Sequence, residues 1–287
     1  MDFIKETFKY LRKSFIPLCV VAALPAVMMG VFMRPFSSVS FLPFYYTLGA
    51  ANFSTIFWMM MTGRIELSGI LLSFVIPLIL IVPVLMLGIG YGLGMIEKQF
   101  KTGKLGLTNP WRAINNSILS IIKTVPIFLV LLLLVLLTQT GILTLIRTWT
   151  SGLDSVTLLG DAIAVSIVSG LFFLIKIMLL IIFGVWAVII QIYGYSFTDA
   201  FIEAIRTISK QWLALVLGLI VPVAVLIVPQ IVYNMLPMFW YWLQMSISIL
   251  SHLLIIVYYM AYITVSVYKI NGLERRDNKP AYIRGFR

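Results

Sequence analysis

Charge and reactive side chains are what this sequence has little of. Only 11% of its 287 residues are Asp, Glu, Lys or Arg, against about 25% in an ordinary soluble domain. There is one histidine, His252, and one cysteine, Cys19. A single cysteine makes no disulfide within the chain and leaves the redox compartment unread. No H-E-x-x-H, C-x-x-C, G-x-x-x-x-G-K-S/T or G-x-S-x-G pattern occurs. The residue sets for zinc hydrolysis, dithiol chemistry, nucleotide phosphates and an elbow serine are therefore missing. His252 has no second ligand near it in sequence, and all ten acids lie in loops or at the edges of apolar runs. That speaks against a metal centre and against a buried carboxylate relay. Neither an enzyme nor a cofactor is expected.

What the chain has in abundance is apolar length. It is 61% hydrophobic, with a mean hydropathy of +1.06. Apolar runs cover about 14–33, 68–96, 124–146, 162–193, 212–234 and 241–268, and roughly 18 such residues suffice for a spanning helix. A water-soluble fold is excluded. The expectation is an all-α integral membrane protein with six transmembrane helices. They form one bundle over residues 1–270, followed by a basic tail, 271–287. The second, fourth and sixth runs are long enough that they must tilt, kink or project; Pro77, Pro83, Pro222 and Pro229 are kink candidates. The first run is long for a signal peptide and lacks a small-residue cleavage site, so it reads as a retained span.

The net charge of +11 comes from basic residues in short segments between these runs. Seventeen Lys and Arg fall on the side of the two termini. Only Arg34, Arg64 and Arg147 fall on the other, and Lys176 lies inside a span. The positive-inside rule then places both termini in the cytoplasm. No dense basic block with interleaved aromatics is present, so nucleic acid is not an expected partner. The outer segment 35–66 is rich in Phe, Tyr, Trp and Met. It reads as an interfacial or re-entrant element, with a seventh span as the alternative.

Lys13, Lys123 and Lys210 each precede a spanning run, and apolar residues recur two, five and nine positions before each. Spacings of three and four are those of an amphipathic helix face. The chain thus reads as three pseudo-repeated hairpins, about 1–97, 98–195 and 196–270. A cytoplasmic-face amphipathic helix leads into each, bending into the membrane at its lysine. Juxtamembrane anchoring explains these segments without further function; the alternative is a grip on anionic lipid headgroups or on a protein partner at the cytoplasmic face. Lys13, Lys123, Lys210, Arg275 and Arg276 are the headgroup candidates.

Amphipathic runs of the type SFTDAFIEAIRTISKQW, each leading into a hairpin, resemble those of a group of uncharacterised bacterial polytopic membrane proteins. They are also similar to the membrane domains attached to glycerophosphodiesterases. No phosphodiesterase domain is present here. The resemblance implies a prokaryotic plasma membrane and transfers no active site.

Two groups of residues cost too much in a bilayer to pass over. Lys176 shares an arc with Ser166, Ser169, Gly184 and Gln191, and an ammonium at mid-depth costs at least ~2.5 kcal/mol. Either the stripe faces protein or water, or the span begins near Phe173 and Lys176 snorkels outward. In the sixth run Gln244, Ser248, Ser251, His252, Tyr259 and Tyr262 form a second stripe. It serves either interhelical hydrogen bonding or a cavity shared with Lys176. A permease or lipid-handling component is the expected function. A structural or regulatory subunit docking a partner through its basic face is the alternative.

Overall fold

The computed structural model describes residues 2–32, 76–103, 110–150, 155–225 and 240–273, together with 229 and 275. Regular structure among them is helical, in six long elements: α1 (Asp2–Phe32), α2 (Ile76–Thr102), α3 (Pro110–Thr150), α4 (Ser155–Tyr193), α5 (Phe197–Val225) and α6 (Tyr241–Ile270). Among the described residues five stretches are long and apolar enough to cross a membrane: Asp2–Val31, Ile79–Thr102, Thr124–Ile146, Ile163–Tyr193 and Tyr241–Ile270. They fall on the first four and the sixth of the apolar runs. The expected fifth span, 212–234, continues past Val225 outside the described residues, and α5 is not among the five. Segment 35–66, Arg276 and the rest of the tail also lie outside the described residues.

Polar pairs fix the directions of the helices. Lys269 donates to Glu6 at 2.9 Å, the Tyr10 hydroxyl to Gln99 at 2.8 Å, Gln191 to Glu97 at 2.7 Å and Thr207 to Asn271 at 3.4 Å. The starts of α1 and α5 therefore meet the finishes of α2, α4 and α6 at one end of the bundle, here termed the terminal end. The helices that finish there stop in the same way. Gly103, Gly194 and Gly272 follow α2, α4 and α6 with φ of 71°, 64° and 63°. The Gly103 amide donates to the Gln99 carbonyl at 2.8 Å and that of Gly194 to Ile190 at 2.9 Å, satisfying carbonyls that the helix leaves open. A side chain in that left-handed region would cost roughly 1–2 kcal/mol.

The axis of the bundle is α6. It touches α1, α2, α4 and α5, and every residue from Met260 to Tyr268 is buried. A helix buried all round is a core helix. Each neighbour approaches it through a glycine: Gly30 against Ile249, Gly92 against Met260, Gly184 against Tyr259 and Gly218 against Tyr262. At Gly30 an added Cβ would lie 2.8 Å from the Ile249 backbone. Lipid tails are as apolar as leucine, so close packing rather than water exclusion holds such helices together, and small residues permit it.

The expected bend at each repeat lysine appears only once. α1 runs unbroken through Lys13 and α3 through Lys123, whereas α5 breaks at Gln211 (φ −149°, ψ 40°), directly after Lys210. The physical reason is visible on α1. Tyr10 and Ser14, on either side of Lys13, both bond Gln99 of α2, so α1 is clamped as one rod there. Prolines do not break the helices either: α1 continues through Pro17 and Pro25, and α2 through Pro83.

Candidate intramembrane site

The lower part of the α6 stripe is engaged in packing. The Tyr259 hydroxyl lies over Gly184 and donates to the Leu180 carbonyl at 2.7 Å. The Tyr262 hydroxyl lies over Gly218 and donates to the Ala214 carbonyl at 2.9 Å, with Leu215 at 3.2 Å. Both tyrosines use one geometry. A helical carbonyl at position i−4 has a second lone pair, and a side chain at position i would screen it. A glycine leaves it open. Tyr258 also donates to α5, to the Gly218 carbonyl at 2.9 Å, which the helix leaves without its usual amide because the residue four on is Pro222.

Further along the stripe, Ser251 and His252 bond within the helix. The Ser251 hydroxyl donates to the Ile247 carbonyl at 2.7 Å and the His252 Nδ1–H to that of Ser248 at 2.8 Å. Ser248, Ser251 and His252 are buried, and Gln244 is half-buried. On α4, Gln191 sits at the terminal end, where Glu97 takes its amide and also pairs with Lys101. Lys13 and Lys210 are exposed at that end. Arg275 is not: its guanidinium stacks 4.1 Å from the Phe100 ring centroid and lies 3.6 Å from Glu6. It anchors the chain leaving α6 onto α1 and α2. Lys123 lies within α3.

Lys176 stands apart. It makes no hydrogen bond or ion pair among the described residues. Its depth follows from helix register. Tyr259 ties α6 to Leu180, and α4 and α6 run in the same direction, so Lys176 lies level with His252 to within about one turn. Trp240, Tyr241 and Trp242 are exposed at the start of α6, and Trp149, 88% exposed, ends α3 at the same far level. Such aromatics mark a membrane interface. At 1.5 Å per residue, His252 lies about 15 Å from Trp242 and about 25 Å from Lys269. The two intervals sum to an interface-to-interface distance. Set in a bilayer, the level of Lys176 and His252 is inside the hydrocarbon.

Direction is set by a ring contact. Phe128 of α3 and Phe183 of α4 meet with centroids 5.2 Å apart. Lys176 lies seven residues from Phe183 and Gln139 eleven from Phe128, and each returns to within roughly 20° of its phenylalanine's face. Both residues therefore lie on the helix faces that meet at that ring contact, offset by about 6 Å along the axis. Gln139 is only 3% exposed, and its Oε1 has no hydrogen-bond partner. Ile177, seven residues from Gly184, is the residue that turns toward α6. Lys176 and His252 thus share a level without sharing a seam. Gln139 belongs to neither polar stripe; its one signal in the sequence is a lone TQT in the run LLLLVLLTQTGILTL.

The described residues hold no group of three or more His, Cys, Asp or Glu able to bind a metal ion. No family model matches the chain, and neither a curated protein nor a solved structure matches it. The class of protein rests on the helices themselves, which are compatible with an all-α chain crossing a membrane several times.

Proposed function

We propose that the protein is a non-enzymatic, six-span plasma-membrane protein that handles a polar group within the bilayer, as a translocation or lipid-handling component. Lys176 carries this reading. It is unpaired among the described residues and lies level with His252 to within about one turn, inside the hydrocarbon when the bundle is set in a bilayer. Ionisable residues at such depth are costly and usually mark a pathway or site. The bacterial membrane, the cytoplasmic termini and the relation to glycerophosphodiesterase-associated domains belong to the same proposal. The threefold plan does too, supported by the left-handed glycine closing each of α2, α4 and α6.

A second reading is favoured by the terminal end. There Phe201, Ile202, Ile205, Trp212 and Leu213 are exposed beside Arg206 and Lys210, and Lys5, Lys9, Arg12, Lys13, Lys98 and Lys101 are exposed nearby. Such an amphipathic, basic face suits anionic headgroups or the acidic surface of a partner subunit.

Single cysteines in a Cys19→Ser background test the first reading. At Phe172, one turn from Lys176, a cysteine is expected to react with a membrane-impermeant thiol reagent. At Ala261, inside the α6 core, it is expected to stay unreactive. Equal silence at both positions would remove the hydrated site and leave the docking reading in its place.

A further inference from the structure

Resting on that proposed function, we infer that the seam between α3 and α4 is itself the binding site. It takes an anionic group that also carries a hydroxyl, such as the phosphate headgroup of a lipid, from the far half of the bilayer. Three observations converge. The only charged side chain between Ile163 and Tyr193 is a cation, Lys176. Gln139, on the facing helix, offers a carbonyl oxygen that is buried and unpartnered, and such an acceptor calls for a donor. A ligand with an anionic oxygen for the ammonium and a hydroxyl for the amide satisfies both groups at once.

The third observation is the place of the seam in the bundle. Among the described residues α3 packs chiefly against α2 and α4 rather than α6. Leu174 and Ile175 beside Lys176, and Leu133 and Leu134 a turn and a half before Gln139, are exposed on the outer surface. The seam is therefore reached sideways, from lipid, and not along the bundle axis. Above it α4 presents Ser169, half-buried and on the same face as Lys176.

Charge selectivity of thiol labelling tests this. Phe172→Cys in a Cys19→Ser background is reconstituted in phosphatidylcholine vesicles and treated with anionic or cationic methanethiosulfonate reagents of similar size. The ratio of the two rates cancels any effect of Lys176 on the thiol itself. The anionic reagent is expected to be favoured, with the ratio falling about tenfold in Lys176→Met and held in Lys176→Arg. Phosphatidylglycerol in the vesicles is expected to protect the cysteine if the ligand is a lipid headgroup, and inorganic phosphate if it is a soluble anion. A ratio unmoved by Lys176→Met, or protection by neither, overturns the anion site while leaving the hydrated site standing. Silence to both reagents in folded protein overturns the proposed function as well.

Discussion

The two ends of the bundle are built on different rules. At the terminal end, three helix finishes, two helix starts and the chain after α6 are tied by polar side chains that pair with one another. Gln99 is shared by Tyr10 and Ser14, and Glu6 by Lys269 and Arg275. Below mid-depth every glycine approach to α6 among the described residues is filled by a tyrosine or methionine. In the far half α1 still packs closely on α6 at Gly30 and Ile249, while one face of α4 is open. Ile163, Ile167, Leu171 and Leu174 of α4 are exposed, and polar groups there such as Ser251, His252 and the Gln139 oxygen bond within their own helix or not at all. Polar residues in the first region specify packing. In the second they bond locally or, as at the Gln139 oxygen, not at all.

The largest effect expected from this contrast is at Gly218. Gly218→Ala drives a methyl group into the Tyr262 ring, and overpacking of this kind costs about 1–3 kcal/mol. Gly170→Ala, with nothing within 4 Å of the new methyl, is expected to be neutral or to stabilise α4 by up to about 1 kcal/mol. Unfolding of both variants in mixed micelles compares the two regions directly, and equal effects would erase the distinction. Tyr262→Phe removes the bonds to Ala214 and Leu215, for a loss of about 0.6 kcal/mol and at most ~1.7; Ser251→Ala, whose bond is local, should lose less. A small, salt-dependent effect is expected at the partly exposed terminal end. Lys269→Met breaks partly exposed pairs to Glu6 and Asp2, worth up to about 1 kcal/mol. Raising the salt concentration should shrink that difference.

The sequence made the spans legible because apolar length is a one-dimensional property. Observed bounds such as Thr124–Ile146 and Ile163–Tyr193 fall within a residue of the apolar runs. Which polar residues face which helix was not legible. Lys176 and His252 sit on stripes of similar pattern, and only the ring contact of Phe128 with Phe183 shows that Lys176 turns toward α3. The role of Tyr259 and Tyr262 was hidden for a related reason. A tyrosine stripe fits a cavity and a packed seam equally well until the glycines opposite, Gly184 and Gly218, are placed against it. The shared left-handed stop after α2, α4 and α6 lay in plain sight as the glycines at 103, 194 and 272. Its meaning depends on φ, which a sequence does not display. The bends at Lys13 and Lys123 are absent, and on α1 the clamp of Gln99 on Tyr10 and Ser14 shows how a tertiary contact overrides a local amphipathic boundary.

The most direct measurement is the stability of Lys176→Met in lipid. If Lys176 is held unpaired in the α3–α4 seam for binding, removing its charge should raise resistance to unfolding, by up to ~2.5 kcal/mol on insertion scales. Binding or transport would be lost with it. A destabilised Lys176→Met would mean that the ammonium is a packed and satisfied structural group, contradicting the site.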